Sequence, residues 1–295
     1  MRNKTLYALI LALTLICAIV SCKEQSPSEE SVRSDTAAQG DSAAAQYELG
    51  MKYYNGDGVP QDYQQAVAWY TKAAVQGNAD AQCNLGVIYA KGEGVPQDYQ
   101  QAVEWFTKAA EQGNTRARFL LANMYSIGEG VPQDDQEAIK WYTMEAEQGN
   151  AVVQTMLGEM YSIGLGVPQD YQQAVAWYTK AAEQGDAEAQ FSLGLMYDEG
   201  EGVPQDYQQA VAWYTKAAEQ SYAGAQWQLG LNYRNGYGVP KDLVQSYKWL
   251  NLAAGQGMTK AAEDRDTLVA EMTPEQIAEA QRLSTEFYEK QHKPE

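Results

Sequence analysis

This sequence predicts an all-α solenoid, and three observations predict it. The seventeen residues GVPQDYQQAVAWYTKAA run from Gly58 to Ala74, again unchanged from Gly166 to Ala182 and from Gly202 to Ala218, and nearly unchanged from Gly94 to Ala110. The repetition keeps a step of 36 residues, shared by Leu49, Leu85, Leu121, Leu157, Leu193 and Leu229 and by Trp69, Trp105, Trp141, Trp177, Trp213 and Trp249. Such a period marks stacked units that bury a core only against their neighbours. Within each period, two helical stretches flank a Gly-Pro break. An active site is written once and a packing surface once per unit, so the copied residues read as scaffold.

In the first helix of a unit, Ala45, Leu49, Lys52 and Tyr53 share one face, and Gly50 is small enough for a neighbouring helix to approach. The helix stops at NGDGV, where Gly56 and Gly58 supply backbone freedom. Pro60 cannot continue a helix, and it biases Val59 towards an extended conformation. The second helix starts at Asp62, which with Gln65 fits a capping box: the carboxylate accepts from the N3 amide and the Gln side chain reaches back. Asp98/Gln101, Asp134/Glu137, Asp170/Gln173, Asp206/Gln209 and Asp242/Gln245 repeat it. Ala66, Trp69, Tyr70, Ala73 and Ala74 form the expected buried face, Gly77 ends the helix, and Asn78 caps the next unit.

Residues 43–257 thus hold six 36-residue repeats. Beyond Gly257 the register fades, and residues 258–295 read as a closing helix pair with Thr273, Pro274 and Gln276 as N-cap, N1 proline and capping-box partner. Ahead of the repeats, Arg2 and Lys4 precede an apolar run of residues 6–20 and then Ser21 and Cys22, the layout of a secretory signal over residues 1–21. A bilayer span needs roughly 20 apolar residues, so cleavage is the better reading. Ile19-Val20-Ser21-Cys22 resembles the bacterial lipobox, which implies a lipid on Cys22 and an exported, lipid-anchored protein; without it, cleavage is ordinary and Cys22 an idle thiol. Residues 22–42, rich in Ser, Glu, Gln and Asp, read as a tether. Lys23 and Glu24 lack the Asp after the lipid cysteine that retains many such lipoproteins in the inner membrane, so by analogy the address is the outer membrane, facing the periplasm. Cys83 is then a lone thiol, which leaves no internal disulfide framework.

Leu49-Gly50-x-x-Tyr53 resembles the tetratricopeptide repeat. That repeat has a period of 34 with its proline after the second helix, whereas here the proline precedes the second helix. Those departures are the marks of the Sel1-like repeat family, whose motif A-x-x-x-L-G-x-x-Y-x-x-G-x-G-V-P-x-D-x-x-x-A-x-x-W stands almost intact in all six units. The resemblance covers Ala43 to about Gly257. It implies a right-handed α-α superhelix and, since relatives mediate assembly and signalling complexes, a protein or peptide partner.

Charge narrows the partners. Against 39 Asp+Glu stand 21 Lys+Arg, a formal charge of −18. Such a surface repels phosphate backbones and offers no basic patch to anionic lipid, so nucleic acid is disfavoured and membrane contact is left to the lipid anchor. His292 is the only histidine and lies in a polar tail, which removes His-dependent triads and His-containing metal sites. GDGVPQD lacks the Lys-Ser/Thr ending of a P-loop. The expectation is a monomer with no cofactor, no metal and no catalytic residue.

Two rows of residues remain. Asp57, Glu93, Glu129 and Glu201 could form an acidic ladder, but Leu165 and Tyr237 break it, and exposed turn residues are the plainer reading. The other row lies on the first helices at positions pointing away from Leu49, counting about 100° per residue. It contains Tyr47, Met51, Phe119, Phe191, Leu195, Trp227, Leu231 and Arg234. It is read either as packing between first helices or as a recognition surface on a concave face, the latter because these positions differ among units that otherwise copy each other. On the second reading Phe191 and Trp227 stand side by side, with Asp198 and Arg234 at the edge. Function readings follow in the same order: a non-catalytic envelope adaptor, a β-lactam-binding or β-lactam-hydrolysing enzyme like cysteine-rich Sel1 relatives, or a surface-displayed host-interaction factor. The paired cysteines of those relatives are missing here.

Overall fold

The computed structural model describes residues 42–292. The signal, Cys22 and all of the tether but Ser42 lie outside those residues. The described residues form fourteen helices: α1 (Ala43–Asn55), α2 (Tyr63–Val75), α3 (Ala79–Lys91), α4 (Tyr99–Glu111), α5 (Thr115–Ile127), α6 (Asp135–Ala146), α7 (Ala151–Ile163), α8 (Tyr171–Glu183), α9 (Ala187–Glu199), α10 (Tyr207–Glu219), α11 (Ala223–Asn235), α12 (Leu243–Gly255), α13 (Thr259–Val269) and α14 (Pro274–Gln291). The first twelve are the six expected helix pairs. The last two are the closing pair, and both pack on α12. The chain divides into two compact units, residues 1–145 and 146–295.

Within residues 42–145, α2 and α4 each pack on the first helix of their own repeat and on the first helix of the following repeat. Ala66, Tyr70, Ala73 and Ala74 of α2 meet Ala81, Leu85 and Ile88 of α3 in one core. The glycine of the first helix lets an aromatic ring sit against the backbone. A Cβ on Gly50 would stand 2.5 Å from Tyr70, and one on Gly86 2.5 Å from Phe106. The second helix ends as anticipated. Gly77, at φ 88°, donates to the carbonyl of Ala74 at 3.0 Å and Asn78 to that of Ala73 at 3.1 Å, a Schellman closure. The Asn78 side chain then accepts from Ala81 N at 2.7 Å and opens α3. Cys83, 2% exposed, is an ordinary core residue of α3.

Two expectations are corrected. Asp62 does cap α2, its carboxylate accepting from Gln65 N at 3.0 Å, but no reciprocal bond from Gln65 closes a capping box. The Asp62 amide already donates to the Tyr53 carbonyl at 2.9 Å, tying the second helix to the end of the first. Asp98, Asp134, Asp170, Asp206 and Asp242 donate in the same way to Tyr89, Tyr125, Tyr161, Tyr197 and Tyr233. Both bonds of a capping box form at Thr273 and Gln276, which open α14. Three of the register tryptophans, Trp69, Trp105 and Trp213, are also less central than their register suggests, whereas Trp141, Trp177 and Trp249 are buried. Tyr70 is 1% exposed, whereas the preceding Trp69 is half-buried and carries the Lys72 ammonium 4.0 Å above its ring. The lysine stem closes over the indole while its charge stays in water.

Residues 146–295 repeat this construction. Ala174, Tyr178, Ala181 and Ala182 of α8 form a core with Ala189, Leu193 and Met196 of α9. Ala210, Val211, Tyr214, Ala217 and Ala218 of α10 form the next with Ala225 and Leu229 of α11. Tyr247, Leu250 and Ala253 of α12 close on Ala261 and Leu268 of α13 and Ala280 of α14. The closing pair therefore supplies α12 with the neighbour that earlier second helices obtain from the next repeat.

A ladder of buried glutamines runs beside these cores. Gln190 is 4% and Gln226 1% exposed. Gln190 donates to the Ala182 carbonyl of the preceding repeat at 3.1 Å and accepts from Gln220 of its own repeat at 2.8 Å. Gln226 does the same with Ala218 at 3.1 Å and Gln256 at 2.9 Å. Each amide thus gives a second hydrogen bond to a helix C-terminal carbonyl that already accepts from the turn residue three positions on, Gly185 for Ala182 and Ser221 for Ala218. In the other unit Gln82 makes the equivalent bonds to Ala74 at 3.0 Å and from Gln112 at 2.6 Å. Where Arg118 replaces the glutamine, its Nε still reaches the Ala110 carbonyl at 3.1 Å.

Candidate interaction face

The row expected to point outward is largely half-buried, and in three repeats a row aromatic leans on the ring of its own second helix. Tyr47 lies 5.8 Å from Tyr70 between ring centroids, and Met51 packs on the same core. One repeat on, Cys83 and Val87 are fully covered, at 2% and 7% exposure. Phe119 lies 6.0 Å from Tyr142, whose hydroxyl donates to Asn123 Oδ1 at 2.6 Å. In the unit of residues 146–295, Phe191 lies 5.9 Å from Tyr214, and Leu195 packs on the core around Leu229. Much of the aromatic row is therefore packing within a repeat.

Repeat six differs further. Trp227 donates from Nε1 to Asp264 of α13 at 2.7 Å, with Lys260 4.4 Å above its ring. Arg234 pairs with Glu271 at 2.6 Å. Leu231 between them is half-buried. The ring that meets Phe191 is not Trp227 of the next repeat but Tyr222, at the end of its own repeat, 5.1 Å away. The expected side-by-side pair of Phe191 and Trp227, edged by Arg234, is thus replaced by contacts with the closing helices and with the Tyr222 turn.

That turn departs from the copied design. Ser221 stands where other repeats have glycine, at φ 65°, a conformation that favours glycine. Tyr222 stands where Asn or Asp otherwise caps the next helix, and α11 opens with no side-chain cap. In exchange the Tyr222 ring covers Phe191.

Around this ring pair the carboxylates are uncompensated. Asp186 caps α9, accepting from Ala189 N at 2.8 Å and from the Thr155 hydroxyl at 3.1 Å. Burial, and then the charge of Glu188, push the half-buried Glu159 carboxyl of α7 up to about 7. Burial, followed by Glu188, Glu159 and Asp186, pushes the Tyr222 phenol up to about 12. Desolvation also raises Asp198. The ion pairs among the described residues include none of Glu159, Asp186, Glu188 and Asp198. The sequence placed Asp198 only at the edge of the expected Phe191–Trp227 patch and gave no role to Glu159, Asp186, Glu188 or Tyr222. The available signal was the break of the Gly-Asn junction at Ser221-Tyr222.

The other candidate row dissolves into local contacts. Glu93 accepts from the Tyr54 hydroxyl at 2.8 Å and lies 3.5 Å from the Lys91 ammonium. Among the described residues, no group of three or more His, Cys, Asp and Glu is placed to hold a metal ion.

The Sel1 repeat family model matches residues 43–78, 79–114, 115–150, 151–186, 187–222 and 223–258. Among solved structures, a Sel1 repeat protein from Oxalobacter formigenes is 32% identical over 84% of this chain and 100% of its own, with a TM-score of 0.67. A protective antigen of uropathogenic Escherichia coli with an SLR fold is 30% identical over 88% of this chain and 73% of its own, with a TM-score of 0.42. An immunity protein from Pseudomonas aeruginosa is 21% identical over 72% of this chain and 81% of its own, with a TM-score of 0.36. No curated protein matches the chain.

Proposed function

This chain belongs to the Sel1 repeat family, and from that premise we propose that it is a non-catalytic scaffold of the cell envelope. It is tethered through a lipid on Cys22, faces the periplasm from the outer membrane, and binds a protein or peptide partner as a monomer. One observation carries the binding half of this reading. On a frame in which four of the six second helices are copied almost letter for letter, the first helices keep a half-buried face whose residues differ from repeat to repeat: Tyr47, Phe119, Phe191 and Trp227 at one level, Met51, Leu195 and Leu231 at another. Aromatic anchors on a rigid array suit an interface more than a reaction centre.

The test is a photo-crosslinking residue placed at Leu195 in cells, followed by mass spectrometry. Partner adducts from Leu195 and none from Glu183, on the second-helix side, are the expected outcome. Equal labelling from both positions would sink the assignment of the face. For the anchor, Cys22→Ser should move the protein from the detergent phase to the aqueous phase, or leave an uncleaved precursor.

A further inference from the structure

The proposed face has a chemical sign, and that sign narrows its partner. On α9, Glu188, Phe191, Leu195 and Asp198 fall at spacings of three, four and three residues and so share one side of the helix. The stripe is acid, apolar, apolar, acid, about 15 Å from end to end at helical rise. Glu159 of α7 adds a third carboxyl beside Glu188, and Tyr222 widens the apolar middle by lying 5.1 Å from Phe191.

Other charges are answered from within the chain. Arg234 of the first-helix row has Glu271 at 2.6 Å, and Glu93 of the loop row has Lys91 at 3.5 Å and the Tyr54 hydroxyl at 2.8 Å. Glu159, Glu188 and Asp198 have no described cationic neighbour within ion-pair distance. Partly desolvated carboxylates are costly to leave without a counter-charge, and the geometry that would hold a metal among them is missing. The chain also uses ammonium-on-ring contacts repeatedly, with Lys180 3.9 Å from Trp177 and Lys216 3.7 Å from Trp213. The paired rings of Phe191 and Tyr222 have no such cation over them.

Resting on the scaffold reading above, we propose that the segment bound by this face is cationic: a short peptide whose Lys or Arg side chains engage Glu188 with Glu159 at one end and Asp198 at the other, with its apolar residues on Phe191, Leu195 and Tyr222. In an extended peptide the two cations stand about five residues apart, since 15 Å is close to five residue rises. The overall charge of −18 draws such a segment in, and the stripe gives it a register.

The probe is a fluorescein-labelled peptide with Arg at its first and sixth positions and Leu at its third and fourth, titrated against the protein from residue 23 onward. Its counterpart carries Glu in place of Arg. The Arg peptide should bind at least tenfold more tightly than the Glu peptide. Glu188→Gln with Asp198→Asn should weaken it about tenfold, and Glu111→Gln with Glu183→Gln, which removes the same charge elsewhere, should change it less than twofold. Leu195→Ser should weaken it while the helical circular dichroism of the folded protein is kept at the titration temperature. Equal weakening by both double variants means diffuse attraction to an acidic chain and overturns the proposal, as does the absence of binding to the unaltered protein. A crosslinked partner from Leu195 whose contact segment is neutral or acidic overturns the cationic assignment alone and leaves the scaffold reading standing.

Discussion

Helices α8 and α10 are identical in sequence, YQQAVAWYTKAAE, while α9 and α11, which alternate with them, read AEAQFSLGLMYDE and AGAQWQLGLNYRN. The copied helices meet a first helix on each side, so Ala174, Ala181, Ala210 and Ala217 are all 0% exposed and no side chain there can grow. The varied helices agree where they are buried against the second helices, at Gln190/Gln226, Leu193/Leu229 and Gly194/Gly230. They part at Phe191/Trp227 and Asp198/Arg234, all of them half-buried. The difference teaches that repetition tracks the number of packed neighbours. Residues free to vary are those with a neighbour on one side only.

The strongest way to break this comparison is to cut into the copied side. Tyr214 is 0% exposed, and its ring lies against Gly194, where a Cβ would stand 2.5 Å away. Tyr214→Ala should cost about 3–5 kcal/mol in urea unfolding, as for other buried aromatics. Phe191→Ala on the varied side should cost well under half as much. Equal losses would mean that both sides are core, and the proposed face would then be packing alone.

A smaller effect separates the two sides by pH. Glu159 has a folded value of about 7, above its ordinary one. Between about 4.5 and 7 the folded protein therefore holds a proton that the unfolded chain releases. Stability contributed by the protonated group is full at acid pH and lost as pH rises through 7. Glu159→Gln should flatten that decline, by about 2 kcal/mol once solvent screening is allowed for. Glu183→Gln, at the exposed end of a copied helix, should leave the profile unchanged. Parallel profiles for all three proteins would remove the buried-acid account.

Next in size is a cap. Asp206 accepts from Gln208 N at 2.9 Å and Gln209 N at 3.0 Å, so Asp206→Ala should cost about 1 kcal/mol. A loss several times larger would show that the Asp206 amide bond to Tyr197 is disrupted as well.

Much of this frame was legible beforehand because its signals are local. Gly77, Asn78 and Asp62 each do what a short stretch of chain dictates, and Gly50 admits the ring that its lack of a side chain promised. The capping boxes were misread because the Asp62 amide is taken by Tyr53, a bond between helices that the Asp-x-x-Gln spacing does not reveal. The glutamine ladder was equally periodic, yet a glutamine in a helix reads as solvated unless three helix ends are known to converge on it. At the candidate face, Trp227 and Arg234 were placed on the right helix side, but their partners Asp264 and Glu271 lie 37 residues on, where the repeat register had already faded.

The smallest expected effect bears most directly on why one junction departs from the rest. Ser221 at φ 65° carries strain of about 1 kcal/mol that glycine would not. Ser221→Gly also restores an unfolded-state freedom costing about half as much. The net gain should be about 0.5 kcal/mol, barely above error in denaturant but visible in melting. Tyr222→Asn should add a side-chain cap to α11 and remove the ring over Phe191, two changes of opposite sign and similar size. If the junction exists to seat Tyr222 on Phe191, the doubly restored protein will be at least as stable as the original and will bind the Arg peptide more weakly. Unchanged binding would make Ser221-Tyr222 a tolerated drift from the copied pattern, and the cationic stripe would then have to stand on Glu188, Leu195 and Asp198 without the aromatic pair.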